Sequence, residues 1–300
     1  MRIDHDQIFK RLIQAFFREF IELFLPQIAQ RIDFSRVEFL EKEQFTDMPV
    51  GKRRLLDLVV RVGLLDGGEE LLLIHCEFES GKNREEFPFR FCLYHCQLLL
   101  RYRLPIIPIA VFTDDAKWRL RVPDSYEIAF EGKTYLKFEY HLLKLKDFDA
   151  RNFMRQNNPL AVALAAKMNY DKREYIRLKA DFLRLILGAS LDGARENLLV
   201  EFIETYMPLQ GEQKEQFGDL VRAEPTLTGV AQAMNLWKIE AKKEGKLEGK
   251  LNALLLVLRD RFGALPTELE NRLSEIQDEV VLDSLLVRAI HVDTLDEFKV

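Results

Sequence analysis

Apolar positions change their period several times along the first half of the chain, and each change marks an element. Over residues 5–24, Ile8, Leu12, Phe16, Phe20 and Leu23 recur at spacings of three and four. That spacing predicts one amphipathic helix stopping at Pro26, with Asp4 or Asp6 as the acid at its N-terminal end. Over residues 37–45, Val37 and Phe39 alternate with Glu38 before the pattern loosens, which predicts an edge strand. Residues 55–62 and 71–78 are dense in Leu, Val and Ile and predict two strands, joined by a turn over residues 64–70 that holds Asp66, Gly67 and Gly68. Helical spacing returns over residues 84–102, with Phe87, Phe91, Tyr94, Leu98 and Leu99 toward a sheet, and Pro105 ends it. Residues 106–113, IIPIAVFT, read as a strand buried on both faces, and residues 126–140 as a hairpin turning at Glu131-Gly132.

Helix, mixed strands, helix and strand together predict an α/β domain over residues 1–148, a mixed sheet flanked by helices. Strand signal then stops. Residues 149–236 predict a helical extension, broken at Asn157-Asn158-Pro159, with helices over residues 160–187 and 196–206. Residues 237–300 open on a run rich in Lys and Glu, followed by Leu251, Leu254, Leu255 and Leu258, and then two short helices over residues 267–276 and 280–290. These make either a small three-helix bundle or the seam of a homodimer.

Composition narrows the class. The chain has 300 residues, 48% hydrophobic and 31% charged, as expected for a folded rather than disordered protein of more than one domain. A formal charge of -5 argues against attachment to DNA through a strong global field and leaves room for local basic strips, at residues 52–54, 101–103 and 119–121. Three cysteines, Cys76, Cys92 and Cys96, in apolar surroundings read as reduced core residues of a cytoplasmic protein rather than zinc ligands. The apolar runs are too short or too broken by proline to span a bilayer, and neither a signal peptide nor a membrane anchor is expected.

The chemistry concentrates in the two central strands. Side chains alternate faces along a strand, so His75, Glu77 and Glu79 share one face, and Asp57 shares its own with Val59 and Arg61. Should the pairing register bring those faces together, three carboxylates and an imidazole converge on an otherwise apolar sheet. Buried charge there demands a cation or a set of hydrogen-bond donors. Acids on adjacent strands of a mixed sheet suit metal-dependent phosphodiester hydrolysis, in which a divalent cation neutralises phosphate oxygens and acidifies the attacking water. A structural alternative stands beside this one: Asp57 paired to Arg53, Arg54 or Arg61.

The pattern H-D-x-x-F-K (His5, Asp6, Phe9, Lys10), then R-R-x-x-D-L-V from Arg53 to Val59, L-I-H-C-E-F-E from Leu73 to Glu79, F-R-F-x-x-Y from Phe89 to Tyr94 and the apolar strand after Pro105 resembles the recombination-promoting nuclease, or putative transposase, family of the PD-(D/E)XK nuclease superfamily. The resemblance covers roughly residues 1–145, and the tail from about Leu251 to Phe298 is similar to a helical domain of unknown function appended to such proteins in cyanobacteria and related bacteria. It implies a PD-(D/E)XK nuclease-like mixed sheet followed by an all-helical C-terminal half, with Asp57 and Glu77 as ligands of Mg2+, or of Mn2+. Glu79 stands where the superfamily usually carries lysine and this family glutamine; a glutamate there serves as base or as a further ligand. Asp6 either reaches the site through a metal-bound water or caps the first helix. His75 is a supporting donor, a substrate contact or a structural histidine, Lys82 a substitute for the missing lysine, and Arg90 a phosphate contact or a brace.

The implied function is a Mg2+-dependent DNA endonuclease of low sequence specificity, tied by resemblance to recombination or mobile DNA. The competing reading, supported by the acidic net charge, the altered third position and the long helical tail, is a catalytically inactive nuclease-fold protein that acts as a binding or assembly module.

Overall fold

A computed structural model describes residues 5–40, 57–65, 71–79, 85–115, 122–276, 278–292 and 294–298. The chain divides into two compact units, Met1–Leu227 and Thr228–Val300. The first is α/β, and its centre is a mixed five-stranded sheet.

The predicted N-terminal helix is two pieces, α1 (His5–Ala15) and α2 (Phe17–Phe24), and a short α3 (Pro26–Ala29) follows where a stop was expected. The break falls at Phe16, whose backbone (φ -124, ψ 37) leaves the helical region. Phe16, Phe17 and Phe20 are all buried, so the chain turns to bury more than one helix stripe could. The proline at the first position of α3 fits a helix start, where its missing N–H costs nothing. β1 (Ile32–Leu40) starts earlier than alternation alone predicted, because a bulge between Asp33 and Val37 interrupts the period of two.

β2 (Leu58–Leu64) and β3 (Leu71–Glu79) are the expected central pair, and antiparallel pairing sets Leu58 against Cys76 and Val59 against His75. The remaining elements of this unit are α4 (Phe87–Tyr102), β4 (Ile106–Phe112), β5 (Ser125–Phe130), β6 (Lys133–Glu139) and β7 (His141–Lys144), then α5 (Ala150–Met154), α6 (Pro159–Ala165), α7 (Tyr175–Leu187), α8 (Gly193–Tyr206) and α9 (Glu212–Ala223). The strand order is β1-β2-β3-β4-β7, with β4 parallel to both β3 and β7. The expected hairpin forms apart from this sheet as β5 and β6. Glu131 and Gly132, both at positive φ (49 and 77), make its turn, a geometry that favours glycine at the second position. β7 was not foreseen: four residues are too few to show a period.

The sheet is covered on both faces, which is why β3 and β4 read as nearly continuous apolar runs. On one face Val59, Leu73, Ala110 and Phe112 meet Phe87, Phe91, Tyr94 and Leu98 of α4, with Phe138 and Tyr140 closing the layer. On the other, Phe78 packs on Phe9 of α1 (6.0 Å between ring centroids), and Phe9 on Phe202 of α8 (5.1 Å). The helices after residue 149 are thus bound into the same unit as the sheet. Asn158 reinforces this by donating to the Glu19 carbonyl at 2.9 Å, and Arg195 by its ion pair with Glu19. Where the hydropathy pattern divides the chain at 148 and 236, packing divides it once, after Leu227.

The second unit is helical: α10 (Thr228–Phe262), α11 (Thr267–Ser274) and α12 (Glu279–His291). Leu254, Leu258, Leu273, Leu282, Leu285, Ala289 and Phe298 form its own core, so the leucines at the end of the charged run are spent within one chain. Among the described residues no helix is long and apolar enough to cross a membrane.

Phe91 is fully buried among the rings of His75, Phe87, Phe138 and Tyr140. Phe91→Ala should lower unfolding stability by about 3–5 kcal/mol, the usual range for emptying such a site, as read by urea denaturation.

Candidate active site

The register that pairs Leu58 with Cys76 places Asp57 opposite Glu77, one step before β2 begins. Each acid engages the opposite strand. Asp57 Oδ2 accepts the backbone N–H of Phe78 at 2.8 Å, and the Asp57 N–H donates to Glu77 Oε1 at 3.2 Å. The faces inferred from alternation therefore do meet. Leu55 and Leu56, the expected start of the strand, lie outside the described residues.

Glu77 is 7% exposed and His75 fully buried. Their side chains meet at 2.8 Å between His75 Nε2 and Glu77 Oε1, and the imidazole lies against the rings of Phe91 and Tyr94 (5.1 and 6.4 Å). Burial dominates both groups. It raises the Glu77 carboxyl to about 8, against the opposing effects of the Asp57 N–H and the charges of Arg90 and Lys10, with Glu79 adding to the rise. It lowers His75 to about 3 despite the nearby Asp57 charge. The pair is consequently neutral near pH 7, the cheaper state for two groups sealed from water. His75 Nδ1 has no hydrogen-bond partner among the described residues, so this histidine is held by one bond and by ring packing.

Glu79, two residues on, is drawn to α4: Arg90 donates to its Oε2 at 2.5 Å while lying over the Phe87 ring at 5.2 Å. Both partners are mostly shielded, at 21% and 14% side-chain exposure, so this pair is stronger than an exposed one. Arg90 is thus a partner of Glu79. Arg61, an alternative partner proposed for Asp57, is committed elsewhere, to Glu38 at 3.0 Å.

Asp6 has its backbone in α1, its side chain lying outside the described part, and Lys82 lies outside the described residues altogether, as do the basic clusters at 52–54 and 119–121. Lys10 is the residue the sequence reading passed over. Its charge acts on Glu77, brought there because α1 packs by Phe9 against Phe78. The signal was available: Asp6 and Lys10 stand four apart in the H-D-x-x-F-K stretch and share a helical face. Cys92 is buried, its thiol raised to about 11 by burial and by contact with Cys96.

Asp57 and Glu77 supply carboxylate oxygens, the donors that Mg2+ and Mn2+ prefer, from adjacent backbone positions held rigid by the sheet. Among the described residues no group of three or more His, Cys, Asp or Glu side chains stands ready to hold a metal ion. Glu79 is turned to Arg90, leaving a pair rather than a triad. That pair fits a hard cation that keeps several of its waters. Comparison with family models, with curated proteins and with solved structures finds no match to this chain.

The buried carboxyl has a measurable signature. Folded Glu77 keeps its proton up to about pH 8, whereas the unfolded carboxyl ionises near 4.5. The stability it contributes is complete below the lower value and is lost as pH rises toward the upper. His75 runs the other way, its contribution growing as pH rises from about 3 to 6.5, the unfolded value. Between pH 6.5 and 8 Glu77 alone of the two acts, so metal-free protein should lose about 1–2 kcal/mol across that window. Glu77→Gln should flatten the decline in urea titrations at three pH values.

Proposed function

We propose that the chain is a metal-dependent DNA endonuclease of low sequence specificity, with a PD-(D/E)XK nuclease-like first unit. The observation that carries this reading is the opposition of Asp57 and Glu77 across the central strand pair, with Glu79 and Arg90 two residues further along the same face. Hydrolysis of a phosphodiester needs oxygen donors for a divalent cation, a positioned water and positive charge for the backbone. Asp57 and Glu77 would hold Mg2+, or Mn2+, which when bound supplies charge neutralisation and a more acidic water. Glu77 must release its proton for this, and the sheet holds its oxygen beside the Asp57 N–H when it does.

Glu79 would accept a proton from water once Arg90, its present partner, yields to or shares itself with a phosphate. Lys10 and Arg90 bring positive charge from opposite sides of the sheet, one from α1 and one from α4. No helix among the described residues resembles one dedicated to reading bases, so contacts to the backbone would dominate and binding would weaken steeply with salt. The link to recombination or mobile DNA rests on the resemblance of the sequence motifs. Pairing of two copies through the second unit belongs to the same proposal, and exposed Leu256, Val287 and Ile290 are its support.

One observation favours the second reading, a nuclease-fold module that binds without cutting. All three acids are already engaged, Asp57 by a backbone donor, Glu77 by His75 and a backbone donor, Glu79 by arginine. A set so occupied holds the strands and α4 together without any metal.

Supercoiled plasmid separates the two. Wild-type protein with Mg2+ or Mn2+ should nick it, Asp57→Ala should reduce nicking by 100-fold or more, and Glu79→Gln should reduce it too, because an amide cannot take the water's proton; retained activity would show that the position is not the base. Absence of nicking with either metal, together with unchanged melting in Ca2+, leaves the binding module. Divalent cation should also stabilise the wild type more at pH 8 than at pH 6.5, because it competes with the proton on Glu77.

A further inference from the structure

A cleft of about 870 Å³ opens at the C-terminal ends of the parallel strands β4 and β7, on the face away from α4. That end of a parallel sheet is where open α/β proteins commonly bind ligands. Thr113, the residue after β4, lines it, and its N–H bonds to the Glu79 carbonyl at 3.0 Å, so the cleft shares one strand end with the acidic pair and is walled by other residues. Those walls come from the turn after β7 (Lys146), the segment between α6 and α7 (Lys167, Tyr170, Lys172), the start of α7 and the end of α8, to which the sequence attached no chemistry.

Two features repeat around the walls. Lysine ammoniums lie over tyrosine rings, Lys146 over Tyr170 at 5.4 Å and Lys167 over Tyr206 at 4.9 Å, and Tyr175 stands beside Tyr170 at 6.3 Å. Both ammoniums also share one carboxylate, Asp115, at 3.3 and 3.1 Å. Lys167 is the telling member. Its side chain is only 10% exposed, yet its carboxylate partner sits 69% exposed at the mouth of the cleft. A buried ammonium needs an anion, and here the anion is one that solvent or a ligand can displace. Lys172 adds a third positive charge on the exposed rim.

We propose that this cleft binds a nucleotide unit, its phosphate held by Lys146 and Lys167 in the place Asp115 now takes, and its base against Tyr170 and Tyr175. Phosphate supplies the oxygens two adjacent ammoniums require, and aromatic rings beside cations are the combination that holds a base and its phosphate together. The unit is either a free mononucleotide or one nucleotide of a single strand, and both present the same chemistry. Asp115 acts as a stand-in anion, keeping the lysines in position while the cleft is empty of ligand.

The test is calorimetric titration of the full-length protein with inorganic phosphate, deoxyadenosine monophosphate and a 5′-phosphorylated pentanucleotide, without divalent metal. Deoxyadenosine monophosphate should bind about tenfold or more tighter than phosphate. Tyr170→Ala should erase that advantage while keeping phosphate binding, and Lys146→Gln should weaken both ligands by about tenfold. Asp115→Asn should tighten both, a change in the direction that misfolding cannot produce. A pentanucleotide that binds better than the monophosphate marks a strand as the source, and equal binding marks a free nucleotide; either supports the site. No binding by wild type or by Asp115→Asn at millimolar ligand, or weaker binding by Asp115→Asn, overturns it. Neither metal nor Asp57 enters this measurement, so a failure of plasmid nicking leaves it standing.

Discussion

A carboxyl group sealed inside an apolar sheet has to be matched, and in this protein the matching of Glu77 organises the strands around it. Its oxygen receives the N–H of Asp57 from the neighbouring strand and lies against His75 from its own, while Asp57 returns the bond to Phe78. Those contacts set the register at the end of β2 and β3 where hydrophobic pairing alone would tolerate a slip, since Leu, Val and Ile are nearly interchangeable along both strands. The cost is a carboxyl that holds its proton to about pH 8 and a histidine that stays neutral well into acid. A site built this way is rigid before any ligand arrives, which is what a cation or a phosphate would require of it.

The two faces of the sheet divide the remaining work. The face under α4 carries His75, Glu77 and Glu79, and α4 answers with aromatic rings over the histidine and an arginine on the last acid. The opposite face belongs to α1 and to helices from beyond residue 149, joined through Phe9, Phe78 and Phe202. The segment between α6 and α7 also carries Lys167 and Tyr170, and α8 carries Tyr206, so a region that braces the sheet also builds the walls of a cleft. Lys179, 1% exposed, shows how strictly this layer is satisfied: its ammonium reaches both Glu204 (2.7 Å) and the Met207 carbonyl (2.8 Å).

Much of this was legible from residue order. Alternation placed His75, Glu77 and Glu79 on one face, and the density of Leu and Val gave the central strands to within a few residues. Helical spacing gave α4, and Glu131-Gly132 gave the hairpin turn. What failed were features without a period of their own. The helix over residues 5–24 broke at Phe16 because three neighbouring phenylalanines all found burial, and the helix expected over residues 160–187 is two, α6 and α7, separated by a turn near Asp171. The partner of Glu79 was equally invisible: the sequence offered it as base or further ligand, and only the fold brings Arg90, eleven residues away, against it.

The sequence by itself determined the central strands, α4 and the hairpin, and that three acids and a histidine crowd two strands, because period and composition are local properties of a chain. Tertiary structure alone decided that Asp57 faces Glu77, that Lys10 and Arg90 bring their charges to the acids from two sides, and that Lys146, Lys167 and three tyrosines from distant segments line one cleft. Those facts depend on register and on the packing of helices against a sheet. Both are set by the sum of many weak contacts across the fold, and none of them is written at any single position.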